Sequence, residues 1–231
     1  MLSTNVERRA FECPAKARGL RGHAAAGSAP LTGIVRISAP PALAAYYLVP
    51  RLREPLSRMP LIDIELVGEV REASLTRREA DIALRLYRPH APGLAAKSLG
   101  AIGYGLYATS RYLKGRHRRN WEFLGYDHSL RHTPQQQWLE NSAAGQRFAF
   151  RSNDLATLYQ AAIAGFGVAV LPHYLARLAR ELIRIESEPC VVSRKLWLVM
   201  HEDVRRSQRV RVVADEIIRL FAAEALNDNR L

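Results

Sequence analysis

The sequence predicts an α/β protein built on a largely parallel sheet, and three observations predict it. Short β-branched runs, "GIVRIS" (33–38) and "DIALRL" (81–86), are separated by helix-patterned stretches, and such a β-α-β order brings strands together in parallel. "LIDIELV" (61–67) alternates Ile62, Ile64 and Leu66 with Asp63 and Glu65, the period of a half-buried strand. A last stretch, 207–225, spaces Val210, Val213, Ile217, Leu220 and Phe221 along one helical face.

The elements follow in order. After the first strand, "PPALAAYYLVPRLREPLSRM" carries Ala45, Leu48, Val49, Leu52 and Leu56 at helical spacing. Pro50 removes one helical hydrogen bond, which predicts a kink or a restart there, and Pro60 ends the helix. The strand 61–67 comes next, then a short helix over 71–80 and the strand "DIALRL". "AIGYGLYATS" (101–110) reads as a strand despite Gly103 and Gly105, and Ser110 can cap the short helix "RYLKG". "GRHRRNW" is a loop and "RFAF" (147–150) a strand, and Ser152-Asn153-Asp154 caps the helix "LATLYQAAIA". A strand over 168–171, a helix over 173–180 and a strand over 195–200 precede the last helix.

Composition is that of a globular protein: 231 residues, 48% hydrophobic and 24% charged. The net charge of +12 fits contact with a polyanion, or arginines scattered over solvated faces; only "GRHRR" (115–119) clusters them. Cys13 and Cys190 have no cysteine partner at zinc spacing and suit a reducing cytoplasm. No apolar run approaches the ~20 residues of a membrane span, and the N-terminus lacks the apolar core of a secretory signal. Residues 1–32 read as a disordered tail.

"AAIAGFGVAVLPHYLAR" (161–177) sets Gly-x-Gly beside a helix, as nucleotide loops do. In a nucleotide loop the glycines precede the helix, so that its N-terminus meets the phosphate. Here the helix comes first. Gly165 sits where a helix ends in the left-handed conformation, Gly167 opens a buried strand, and Pro172 begins the next helix. This is a structural junction, and "GAIGYG" fails the same test.

"AAIAGFGVAVLP" resembles a segment of the effector-binding domain of LysR-type transcriptional regulators. "GIVRISAPPALAAYYLVPRL", "ADIALR", "GLAAKSLGAIGYGLYATSRYL", "QQQWL" and "LWLVMHED" resemble further segments of that domain, in order. The resemblance runs from Gly33 to about Phe221. It implies a two-lobed, periplasmic-binding-protein-like (type 2) fold over 33–226, with a short tail over 227–231. Lobe I would hold about 33–104 and 200–226, and lobe II about 105–199. Two strands would cross between them near Tyr104 and Leu198. It further implies a small-molecule effector, often a carboxylate, held between the lobes. The family's winged helix-turn-helix has no counterpart in this sequence, so "AKARGLRGHAAAG" reads as a remnant of the linker helix.

In such a fold, ligands meet loops at the carboxyl ends of the strands. In lobe I these are Ser38 and Ala39, Gly68 and Glu69, and Arg85. An anion is favoured at a helix opening by unpaired N–H groups and the helix dipole. Pro40 and Pro41 remove two donors, which leaves Ala42, Leu43 and Ala44. In lobe II the equivalent positions are His128, Ser152 and Asn153, where Ser152 or Asn153 serves equally as a helix cap. Arg85 pairs either with the ligand or with Glu69 or Asp81. His128 and His132 stand at i, i+4, but no third ligand lies at metal spacing, so no metal and no cofactor is expected. No serine has nucleophile-elbow glycines, and no enzyme is expected. The resemblance also implies pairing, as a homodimer or with full-length relatives, through the helix of Leu48, Leu52 and Leu56, ringed by Arg53, and the helix 155–164. DNA would be met only through the helix-turn-helix. The alternative on the same fold is a solute-binding protein of a transport system.

Overall fold

The computed structural model describes residues 31–68 and 80–223. The expected tail up to residue 30, Glu69, the helix over 71–80 save Ala80, and the tail 227–231 lie outside the described residues.

The first sheet is built on β1 (Gly33–Ala39), which pairs in parallel with β2 (Ile62–Gly68) and β3 (Ile82–Arg85). β3 pairs antiparallel with β9 (Ser193–His201), and β9 with the first part of β4 (Leu94–Thr109). The core face of β1 carries Val35 and Ile37, both fully buried. α7 (Gln208–Ala223) lays Val210, Val213, Ile217 and Phe221 into the same core, the stripe read from the sequence; Leu220 stays half-buried. β4 is the outer strand of this sheet. Lys97 and a register shift between Ser98 and Gly100 interrupt its free edge, as charges and bulges do on edges that must not pair.

β4 is the outward crossing. From Tyr104 it leaves β9 and pairs with β7 (Val168–Pro172), then with β8 (Leu182–Arg184). The second sheet continues through β5 (Phe123–Tyr126), parallel to β7, and β6 (Phe148–Ser152), parallel to β5. The return crossing falls at Val192, whose carbonyl accepts from Tyr104 N–H. It does not fall at Leu198, which sits inside the first sheet opposite Leu84 and Lys97.

The first helical stretch differs from its sequence reading. α1 (Pro41–Leu43) runs into a π turn (Ala44–Leu48), which runs into α2 (Val49–Ser57). Val49 N–H donates to Ala44 O, five residues back. Pro50 has no N–H, so an α turn here would lack a bond; the wider turn precedes it. The extra residue rotates the face. Tyr47, Leu48 and Leu52 are buried, whereas Ala45 and Val49 are exposed. Leu48 and Leu52 therefore pack inward and are not free to meet a partner chain.

The junction at 161–177 is as read. α5 (Leu155–Ile163) ends with Gly165 at φ 80°. Phe166 N–H donates to Ala161 O and Gly165 N–H to Ala162 O, the paired bonds of a left-handed helix stop. Gly167 is required for space: a Cβ there would stand 2.4 Å from Glu122 O. The expected helix 173–180 is shorter, α6 (His173–Ala176). α3 (Ser110–Leu113) is capped by Thr109, whose hydroxyl accepts from Tyr112 N–H; Ser110 is its first residue. Arg118 of the basic cluster is a strap. It bonds Glu188, Gln146 and Ser142 and lies over the Trp121 ring. β5, β8 and α4 (Pro134–Ala143) were not anticipated.

Candidate ligand cavity

The carboxyl end of β1 delivers the chain into the opening of α1. Pro40 and Pro41 fix the backbone there, and Ala44 N–H is taken by Pro40 O at 2.9 Å. The helix opening therefore presents the N–H groups of Ala42 and Leu43. Facing it are the openings of two helices of the second lobe. Thr133 is the N-cap residue of α4, and Asp154 caps α5 by accepting from Thr157 N–H at 2.8 Å.

Between them lies a cavity of about 100 Å³. Its first-lobe wall includes Pro40, Pro41, Ala42, Leu43 and Leu86. Its second-lobe wall includes Tyr126, Leu130, Thr133, Gln135, Asn153, Asp154, Leu155 and Tyr174, and the crossing strands contribute Ile102, Tyr104 and Arg194.

The cavity's polar groups are unusual for so enclosed a place. Arg194, half-buried on β9, donates to Leu86 O at 3.5 Å and hydrogen-bonds the Tyr104 hydroxyl. Among the described residues no carboxylate pairs with it. Burial pushes the Tyr104 phenol up to about 12, partly offset by Arg194. Burial likewise raises Tyr126, which hydrogen-bonds Gln135, and Tyr174. Three neutral phenols thus converge here. Gln135 is 4% exposed, and its Oε1 has no hydrogen-bond partner. A buried amide oxygen left unsatisfied is costly, which marks it as an acceptor awaiting a donor.

The sequence-predicted residues divide. Leu43 and Asn153 line the cavity. Ser38 and Ala39 are buried beneath it, at 1% and 0% exposure. Ser38 is held by Arg85, which donates to its Oγ at 2.9 Å and its carbonyl at 3.2 Å, and to Leu84 O at 2.9 Å. Arg85 is 2% exposed, so it clamps the strand ends and does not line the cavity. The Asp81 carboxylate accepts from Arg36 N–H. Gly68 backs onto Pro41 outside the cavity. Glu69 lies outside the described residues. His128 is exposed on a 3-10 turn (His128–Leu130) and does not share a helix with His132. Ser152 Oγ accepts from Asp154 N–H, so Asp154, not Ser152 or Asn153, caps the helix. Sequence reasoning missed Tyr104, Tyr126, Gln135, Tyr174 and Arg194. The one available signal was a lone arginine between strand-forming residues, "VVSRKLWL".

Two α/β lobes joined by crossing strands, with a cavity between them, define a ligand-binding domain of the periplasmic-binding-protein-like kind. The chain belongs to the LysR substrate binding domain family, whose model matches residues 28–222. It is 25% identical over 195 residues to the Mau operon transcriptional activator of Paracoccus denitrificans, covering 84% of this chain and 67% of that protein. Its fold is similar to the regulatory domain of CrgA, a LysR-type transcriptional regulator from Neisseria meningitidis: TM-score 0.70, 21% identity, 82% of this chain and 98% of that one. It is also similar to the effector domain of the regulator AmpR of Pseudomonas aeruginosa: TM-score 0.67, 19% identity, 84% and 98%. The family favours a regulator's domain over a solute carrier for transport. Among the described residues no helix is long and apolar enough to cross a membrane.

Proposed function

We propose that this chain is the effector-sensing part of a cytoplasmic LysR-type regulator, without enzymatic activity, and that its effector is a compact molecule with an acidic group. The observation that carries this is Arg194: a half-buried cation in the inter-lobe cavity with no carboxylate partner among the described residues. The N–H groups of Ala42 and Leu43 and the α1 dipole favour the same charge. Gln135 Oε1 then asks for a donor, a hydroxyl or amine, elsewhere on the ligand. At about 100 Å³ the cavity is smaller than the roughly 150 Å³ space known to admit benzene, so the ligand has few atoms. In this reading lobe I is β1–β3, the first half of β4, β9 and α7, and lobe II is the rest. The domain pairs with a second copy or a full-length relative, and DNA is contacted through the helix-turn-helix of the family.

The test is thermal unfolding against a panel of small hydroxy and amino acids beside their methyl esters. A ligand at about one hundred times its Kd stabilises by about 2.7 kcal/mol. We expect stabilisation by acids and not by esters, lost in Arg194→Met and weakened in Gln135→Leu. Esters matching acids, or Arg194→Met keeping the full effect, would refute the reading.

A further inference from the structure

On the far side of the first sheet from the inter-lobe cavity's chemistry, a second concavity lies between α7 and the outer strand β4. It is an open groove of about 680 Å³. Its floor is apolar: Ala95, Leu198 and Met200 from the sheet, Ala214 and Ile218 from α7. Small residues at Ala95 and Ala214 keep that floor low. Lys97 and Leu198 are directly paired across β4 and β9, so they project from the same face.

The rim is cationic. Lys97, Arg205, Arg206 and Arg211 line the groove, all exposed. Glu202 and Asp215 line it too, yet among the described residues none of the four cations forms an ion pair. The groove therefore keeps an uncompensated positive field over an apolar strip.

We propose that this groove docks an acidic amphipathic helix of a partner protein, laid beside α7. α7 has 16 residues, about 24 Å of helix, so the fitting partner is a helix of about four turns. Its apolar face would meet Leu198, Met200 and Ile218, and its flanking carboxylates would meet Arg205, Arg206 and Arg211. The apolar floor argues against nucleic acid, which presents phosphates but no apolar face to such a strip. A second copy is a poor occupant, because the chain carries +12 and like charges repel. Strand addition is opposed by Lys97 and the bulge on the free edge of β4.

The test uses the full chain and a synthetic, fluorescently labelled peptide of about four helical turns, with leucines at i, i+3, i+4 and i+7 and glutamates on both flanks. Binding is read by anisotropy. Controls are a scrambled peptide of the same composition and a labelled DNA duplex. We expect the ordered peptide to bind, and Arg205→Glu with Arg211→Glu to weaken it about tenfold or more. Ala95→Leu, which raises the floor without touching charge, should weaken it as well. The double charge reversal and Ala95→Leu are each checked for unchanged circular dichroism, and Lys97→Glu serves as a replacement if either fails to fold. Equal binding of the scrambled peptide, undiminished binding by Ala95→Leu, or duplex binding through these residues with no peptide binding would overturn the proposal.

Discussion

Gly167→Ala should be among the most damaging small substitutions in the second lobe. A Cβ there would lie 2.4 Å from Glu122 O and 3.1 Å from its carbonyl carbon. Carbon and oxygen rest at about 3.3 Å or more, so β5 and β7 would have to part by about 1 Å. The obstructing atom is backbone and cannot swing aside. The same carbonyl accepts from Val168 N–H at 2.9 Å, which starts the β5–β7 ladder. Losing that bond costs about 1 kcal/mol. Disturbing the packing of Phe123, Leu124 and Val168, all at most 1% exposed, costs about 1–3 kcal/mol. The sum is about 2–4 kcal/mol. Gly165→Ala differs in kind: its φ of 80° strains the backbone, but its Cβ meets only Thr109 Oγ1 at 3.7 Å. That costs about 1–2 kcal/mol. Urea unfolding followed by circular dichroism should show the midpoint of Gly167→Ala lowered by about 1 M or more, with Gly165→Ala between it and wild type. If Gly167→Ala lies within about 0.5 kcal/mol of wild type, or costs less than Gly165→Ala, the steric argument fails.

Alkaline stability tests the cavity's phenols. Tyr104 titrates near 12 in the folded chain against 10.0 when unperturbed, so its contribution is whole below pH 10 and lost as pH rises towards 12. That amounts to about 3 kcal/mol, and Tyr104→Phe should flatten the fall in urea midpoint between pH 10 and 12; an unchanged slope would count against burial as the cause. Asp154→Ala removes the cap on Thr157 N–H, which should cost about 1 kcal/mol and lower the melting temperature by about 2–4 °C, whereas Ser152→Ala should cost less; the reverse order in a thermal melt would show the cap misassigned.

The parallel core of the first sheet was legible because β1, β2 and β3 carry β-branched residues in clear alternation or short apolar runs. The helix stop at Gly165 was legible because its chemistry is local. β5, "FLGY", was hidden: all its residues are buried, so nothing alternates, and Gly125 reads as a turn. α4, "PQQQWLENSA", is polar around most of its circumference, and its buried Gln135 and Gln136 carry no hydrophobic period. The first half of β4 has alanines where strands usually have branched residues. The candidate cavity was half legible. A helix opening can be placed from Pro40 and Pro41. Tyr104, Tyr126 and Tyr174 look like ordinary core tyrosines in sequence, and their convergence depends on which strands cross where. Arg85 misled for a related reason: a charge at a strand end suggests a ligand, whereas here it fastens β1 to β3 from below.

The π turn at Ala44–Leu48 makes this region intolerant of changes in length. One residue advances an α-helix by 100°. Deleting any single residue from 44–48 would let the turn tighten to the ordinary pitch, and everything after it would swing by that angle. Leu52 would leave the core and Arg51 or Arg53 would be driven towards it. A deletion that looks harmless in an alanine-rich run would thus act as a wholesale exchange of inside for outside along α2. Substitutions at Ala45, which faces solvent, should pass almost unnoticed. The chain here reads as a counted interval: its composition is free on one side, and its number of residues is fixed.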